Sequence, residues 1–191
     1  MSEKTVSNII MRILIDSTED ILGKNGLAAL LKYCGLSDFI DNRPDFSLVK
    51  NYTDDDLNRI TSNFYDFIGP GAKAIFRMVG KSTVKRVIDS GALAPVMNLK
   101  GEEKFIGAMQ MYALATGKGE MKRVGNVMVY DNPACAGCAH VKSEVPVCSI
   151  INGIMDRLLA WSEVEGMRSI ETKCKAMGDD RCCYEVVAAD T

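Results

Sequence analysis

Cys148, Glu171, Cys174 and Cys182 are the side chains of this sequence best placed to grip a metal together. Cys148 stands at the mouth of a helical pattern. Glu171-x-x-Cys174 ends a strand-like run, and a turn at Gly178-Asp179 leads into Cys182. A helix start and the hairpin after it thus carry four soft or anionic donors. Such a set closes a small tetrahedral site, because zinc accepts cysteine sulfur and glutamate oxygen alike. The dipole at a first helical turn also favours the thiolate form of Cys148. Glu171 and Cys174 are three apart and would face opposite ways on a regular strand, so the strand is expected to end or bend near Thr172. Cys182 and Cys183 alternate in the same way, and only one of them suits a ligand role. Three thiolates and a carboxylate around a divalent ion leave a charge of about −2, to be offset by backbone N–H groups. On spacing alone, the rival reading is four unrelated thiols and acids.

A second pair, Cys135-Ala-Gly-Cys138, precedes the single histidine, His140. A haem-attachment motif needs histidine directly after the second cysteine, and Ala139 intervenes. Three readings stay open: a redox switch, half of a second metal or iron–sulfur site completed by His140 or partner-chain thiols, or inert thiols. Cys34 is read as a small buried hydrophobe. Gly80-Lys81-Ser82-Thr83 resembles the tail of a phosphate-binding loop, but Ile75 stands where the first glycine is required, and the site is discarded. Asp54-Asp55-Asp56 reads as an acidic helix start.

The elements that must position these residues follow from composition and patterning. At 191 residues, 47% hydrophobic and 25% charged, the chain suits one domain with a substantial core. A net charge of −2 gives no general case for nucleic-acid binding, and no basic recognition helix is visible. Seven cysteines, with Cys182 and Cys183 adjacent, argue against a simple disulfide framework. No secretory signal and no membrane span is recognised, so a cytoplasmic location is expected, where thiols bind metal or do redox work.

Residues 8–15 fit a short strand or the lead-in to a helix that runs on to Gly35. Residues 39–52 look irregular, 53–67 form a helix broken by Gly69-Pro70-Gly71, and 72–90 are helical. In the helix over 102–116, Phe105, Met109, Met111 and Tyr112 form a stripe that packs the core or faces an apolar cavity. Residues 123–130 read as one strand bent at Gly125. A helix over 146–162 and a hairpin of 166–174 with 182–188 complete an α+β chain, helices packed on a small antiparallel sheet.

Pro146-Val147-Cys148, Glu171-Thr-Lys-Cys174, Gly178-Asp179 and Cys182 together resemble the C-terminal signature of the 4-vinyl reductase domain family. The run is also similar to the sensor domains of phenol- and xylene-responsive transcription activators. The likeness is specific over residues 127–187 and general upstream. It implies that Cys148, Glu171, Cys174 and Cys182 hold a structural zinc beside a buried ligand pocket. It implies further a fold shared with subunits of a vesicle-tethering complex, which commonly dimerises.

The expected function is a zinc-stabilised sensor or carrier for a hydrophobic, aromatic or tetrapyrrole-like molecule. Its output would pass through a homodimer or a protein effector. One alternative is a redox module acting through Cys135 and Cys138. Another is vinyl reduction or an accessory role in it; catalysis by this chain alone is not expected, because no hydride-cofactor fingerprint follows a strand.

Overall fold

Helices fill the first half of the chain and strands the second, in a computed structural model that describes residues 3–135, 137–138 and 141–189. The expected α+β class is observed. Helix α1 (Asn8–Tyr33) takes in the 8–15 segment and kinks at Gly23, whose φ of 71° a side chain would resist. Just before it, β1 (Val6–Ser7) pairs with β2 (Lys50–Tyr52), so the stretch read as irregular ends in a short antiparallel ribbon.

Helix α2 (Asp54–Ile68) starts where Thr53 and Asp56 form a reciprocal capping box, which is why the acidic run sits at its first turn. Thr53→Ala is expected to lower stability by about 1 kcal/mol, read as a shift in the urea midpoint at unchanged slope. Helix α3 (Ala72–Asp89) follows, then α4 (Gly101–Thr116) and α5 (Ser149–Trp161).

The phosphate-loop look-alike has a structural explanation. A Cβ on Gly80 would lie 2.1 Å from the Ile150 carbonyl oxygen, and one on Gly153 would lie 1.9 Å from that of Arg77. Helices α3 and α5 therefore touch backbone to backbone, and the glycines are what permits it.

The main sheet has four antiparallel strands in the order β3-β4-β6-β5. The single bent strand expected over 123–130 is instead a hairpin, β3 (Glu120–Val124) and β4 (Val127–Asn132). Val124 pairs with Val127 across a two-residue turn that opens with Gly125 at φ +58°. A primed hairpin turn needs glycine there, so Gly125 reverses the chain rather than bending it. β6 (Cys182–Ala188) lies between β4 and β5 (Met167–Lys173).

Two apolar cores result. One gathers α1, α2 and α3 around the stacked rings of Phe64 and Phe76, 4.5 Å apart. The other lies among α4, α5 and the sheet and contains Cys135, Cys138, Cys148, Cys174 and Cys182. The aromatic and methionine stripe of α4 serves this second core: Phe105 and Met109 are fully buried, and Tyr112 lies edge-on to Tyr130. Among the described residues no helix is long and apolar enough to cross a membrane.

Candidate functional site

Each donor is held by a local reason. Cys148 is the N-cap residue of α5, and its backbone N–H donates to Glu171 Oε2 at 3.0 Å. Tyr65 on α2 straddles the same point: its hydroxyl donates to the Val147 carbonyl and lies 2.7 Å from Ser149 Oγ. Asp156 on α5 accepts from the backbone N–H of Ser169 on β5 at 3.0 Å and from its hydroxyl at 2.9 Å. Arg77 of α3 binds the same carboxylate at 2.6 Å. This network fixes β5 against α5 two residues before Glu171.

Thr172 sits in a register shift between Glu171 and Lys173, where the strand was expected to bend. Such a bulge re-aims the residues that follow, and Cys174 turns inward, fully buried. The Cys174 N–H donates to Asp179 Oδ2 at 2.8 Å, and Gly178 takes φ +99° in the same turn. Cys182 opens β6 with its side chain fully buried, while neighbouring Cys183 is only partly so.

Cys135 and Cys138 join the same site, from the loop after β4. The Cys135 and Cys148 sulfurs are 3.5 Å apart, Cys138 and Cys182 3.4 Å, Cys135 and Cys138 3.8 Å, and Cys148 and Cys182 3.9 Å. All five cysteines are free thiols. The sequence treated the two groups as separate sites; here they share one centre. His140 lies outside the described residues, so its proposed part with Cys135 and Cys138 has no structural counterpart.

Those spacings have a chemical meaning. Four sulfurs at about 2.3 Å from one ion, in a tetrahedron, stand about 3.8 Å from each other. A polynuclear cluster would have to fit between its thiolates and hold them farther apart. Among the described residues, two four-donor sets could hold a single ion: Cys135, Cys138, Cys148 and Cys182, and Cys148, Glu171, Cys174 and Cys182. In both, every ligand atom lies within 4.8 Å of the others.

Electrostatics show how crowded the centre is. Burial, then the negative Cys174 sulfur, pushes the Glu171 carboxyl up to about 9. The bond with Cys138 raises the Cys174 thiol, but those with Cys148 and Cys182 outweigh it and bring the group down to about 6. Cys148 is pushed up by its contacts with Cys135 and then Cys138. The dipole effect expected there is overwhelmed by neighbouring sulfurs. Glu171 Oε1 is buried without a hydrogen bond of ordinary length, and a cation is the natural partner for such an atom. The Lys175 backbone N–H points at Cys182 Sγ from 3.5 Å, as thiolate ligands favour. The nearby cationic side chains turn elsewhere: Lys175 reaches the Pro133 carbonyl, and Arg181 pairs with Asp131 and Asp180.

Tyr65, Asp156 and Ser169 were missed by the sequence reading, and Asp179 was read only as part of a turn. Asp179 beside Gly178 carried a turn signal. Tyr65 carried none, being more than 80 residues from the atoms it holds.

The fold so assembled is that of H-NOX domains. An H-NOX protein used to probe heme distortion superposes with a TM-score of 0.66 at 15% identity, over 97% of this chain and 96% of its own. An oxygen-binding H-NOX domain related to soluble guanylate cyclases gives 0.63 at 15%, over 95% and 93%. An H-NOX protein from S. oneidensis, in its Fe(II)NO state, gives 0.64 at 11%, over 97% and 100%. No protein-family model matches the chain, and no curated protein does.

Two expectations are corrected by these likenesses. The 4-vinyl reductase assignment is overturned, since the solved structures sharing the fold are H-NOX domains and no family model supports the signature. The vinyl-reduction reading built on that assignment loses its basis. The zinc assignment falls too, because the neighbours are heme proteins. A physical reason accompanies it: six donors surround the point where the assignment needed four, so the chosen quartet is not isolated.

A haem needs a flat apolar slot and an axial donor standing clear of its neighbours. Here the space among α4, α5 and the sheet is filled by Phe105, Met109, Tyr130, Met155 and Tyr184, each fully buried. The buried thiols crowd one another instead of facing a slot. The described residues do not fit a haem in this arrangement.

Proposed function

We propose that this chain is a small-molecule sensor domain whose responsive element is a metal–thiolate centre rather than a porphyrin. Cys148 and Cys182 are its constant ligands, with Cys135, Cys138, Cys174 and Glu171 around them. One observation carries the reading: the buried sulfurs of Cys135, Cys138, Cys148 and Cys182 converge from a loop, a helix cap and a hairpin, at contacts of 3.4–3.9 Å matching one thiolate-bound ion, with buried Cys174 close by. The H-NOX fold, shared with an oxygen-binding domain related to soluble guanylate cyclases, supports a sensing role. The species sensed is one that ligates or oxidises the centre, and the signal leaves through a second copy of the chain or an effector protein.

Elemental analysis of protein purified without oxygen tests it. About one thiophilic ion per chain is expected, with thiolate-to-metal absorption that Cys148→Ser abolishes. Stoichiometric haem uptake with a Soret band, and no other metal, would sink the reading. The 3.8 Å contact of Cys135 and Cys138 favours a second reading, a thiol switch without metal. Retention of every thiol after mild peroxide treatment would exclude it.

A further inference from the structure

The two donor sets share Cys148 and Cys182 and differ in the other pair. Cys135 and Cys138 belong only to the first, Glu171 and Cys174 only to the second. A tetrahedral ion takes four donors, so the six cannot serve at once. We propose that the centre is a donor-exchange redox switch, in which oxidation of Cys135 and Cys138 moves one divalent ion onto Glu171 and Cys174. This rests on the metal-centre reading above and gives it a mechanism.

The step balances with a peroxide as oxidant. Cys135 and Cys138 thiolates each give up one electron and form a disulfide. Their two bonds to the ion break. The O–O bond of hydrogen peroxide takes the two electrons and, with the two protons that the Glu171 carboxyl and the Cys174 thiol release on becoming ligands, leaves as two waters. Glu171 oxygen and Cys174 sulfur then complete the shell that Cys148 and Cys182 keep. Four thiolates and three thiolates with a carboxylate carry the same formal charge, so no net charge change opposes the exchange.

The surroundings suit such a transfer. The Cys135 and Cys138 sulfurs are 3.8 Å apart and belong to one C-x-x-C run, so a disulfide between them ties neither α5 nor β6. An open groove of about 660 Å³ runs between the segment after Cys138 and the one after Cys174, lined by Lys142, Ser143, Lys175 and Met177 among others. The Ser143 N–H donates to the Ala176 carbonyl at 2.9 Å across that groove, linking the two segments that carry alternative donors. Exchange of the ion therefore pulls on a contact at the surface.

The test uses cobalt(II) as a coloured probe in the full chain, loaded without oxygen after metal removal. One equivalent of hydrogen peroxide is then added. Expected are retained cobalt, loss of two hydrogens in intact mass, a mapped Cys135–Cys138 disulfide, and charge-transfer absorption falling from a four-thiolate to a three-thiolate level. Cys174→Ser is expected to bind cobalt when reduced and release it on oxidation. Cys135→Ser/Cys138→Ser is expected to show the three-thiolate spectrum from the start, unchanged by peroxide. Release of cobalt by the oxidised native chain, a disulfide involving Cys148 or Cys182, or retention by oxidised Cys174→Ser overturns the exchange alone. Failure of the reduced native chain to bind cobalt overturns the metal reading with it.

Discussion

Gly153→Ala is expected to cost about 3 kcal/mol or more and to leave much of the chain unfolded at ordinary temperatures. The added methyl would sit 1.9 Å from the Arg77 carbonyl oxygen, 2.8 Å from its carbon and 3.1 Å from its Cα. All three are backbone atoms of a neighbouring helix, so no rotamer change relieves the clash. The two helices would have to part, breaking the Arg77–Asp156 pair and loosening the Asp156–Ser169 bonds that fix β5. Helix propensity pulls the other way by only about 1 kcal/mol. Equilibrium denaturation measures the balance. Gly71→Ala is the control, because its added Cβ would meet only the side-chain ends of Ile75 and Ile68, at 3.9 and 4.0 Å. Equal stability of Gly153→Ala and the native chain would mean that α3 and α5 do not cross as described.

Cys182→Ser carries the second large effect. Cys182 belongs to both donor sets, so its loss leaves neither complete, whereas Cys135→Ser spoils only the first. The variant is expected to purify without bound metal and to melt well below the native chain. An ion present at 1,000 times its dissociation constant stabilises the folded state by about 4 kcal/mol, and chelation of the native protein is expected to remove the same amount. Burying a serine hydroxyl has its own cost, which Cys34→Ser isolates. Cys34 is equally enclosed, its thiol pushed up to about 11 by burial, but it lies in the other core, away from the centre. If Cys182→Ser loses no more stability than Cys34→Ser and responds to chelators as the native chain does, Cys182 is not a ligand.

Local chemistry made part of this legible in the sequence. Thr53 with Asp56 announced a helix start, and the Gly178-Asp179 turn between Cys174 and Cys182 announced the closing hairpin. The spacing of Glu171 and Cys174 demanded a break near Thr172, where the register shifts. Long-range packing was not legible. Nothing local says that the loop of Cys135 and Cys138 folds onto the cap of α5, or that Tyr65 holds that cap from α2. Gly80 was weighed as a nucleotide motif because a close helix crossing leaves the same mark as a phosphate loop, a small residue amid good helix formers. Gly125 was taken as a bend because a lone glycine in a strand-like run marks a bend or bulge as readily as a turn. The family signature misled for a related reason: four donors at matching spacing say nothing of the two that arrive from elsewhere in the chain.

X-ray absorption at the edge of whatever metal the anaerobically purified chain retains reads the centre most directly. A nearest shell made mainly of sulfur at about 2.3 Å is expected, with four sulfurs when every thiol is reduced. A shell of porphyrin nitrogens, or a fully reduced chain that retains no metal at all, would contradict it.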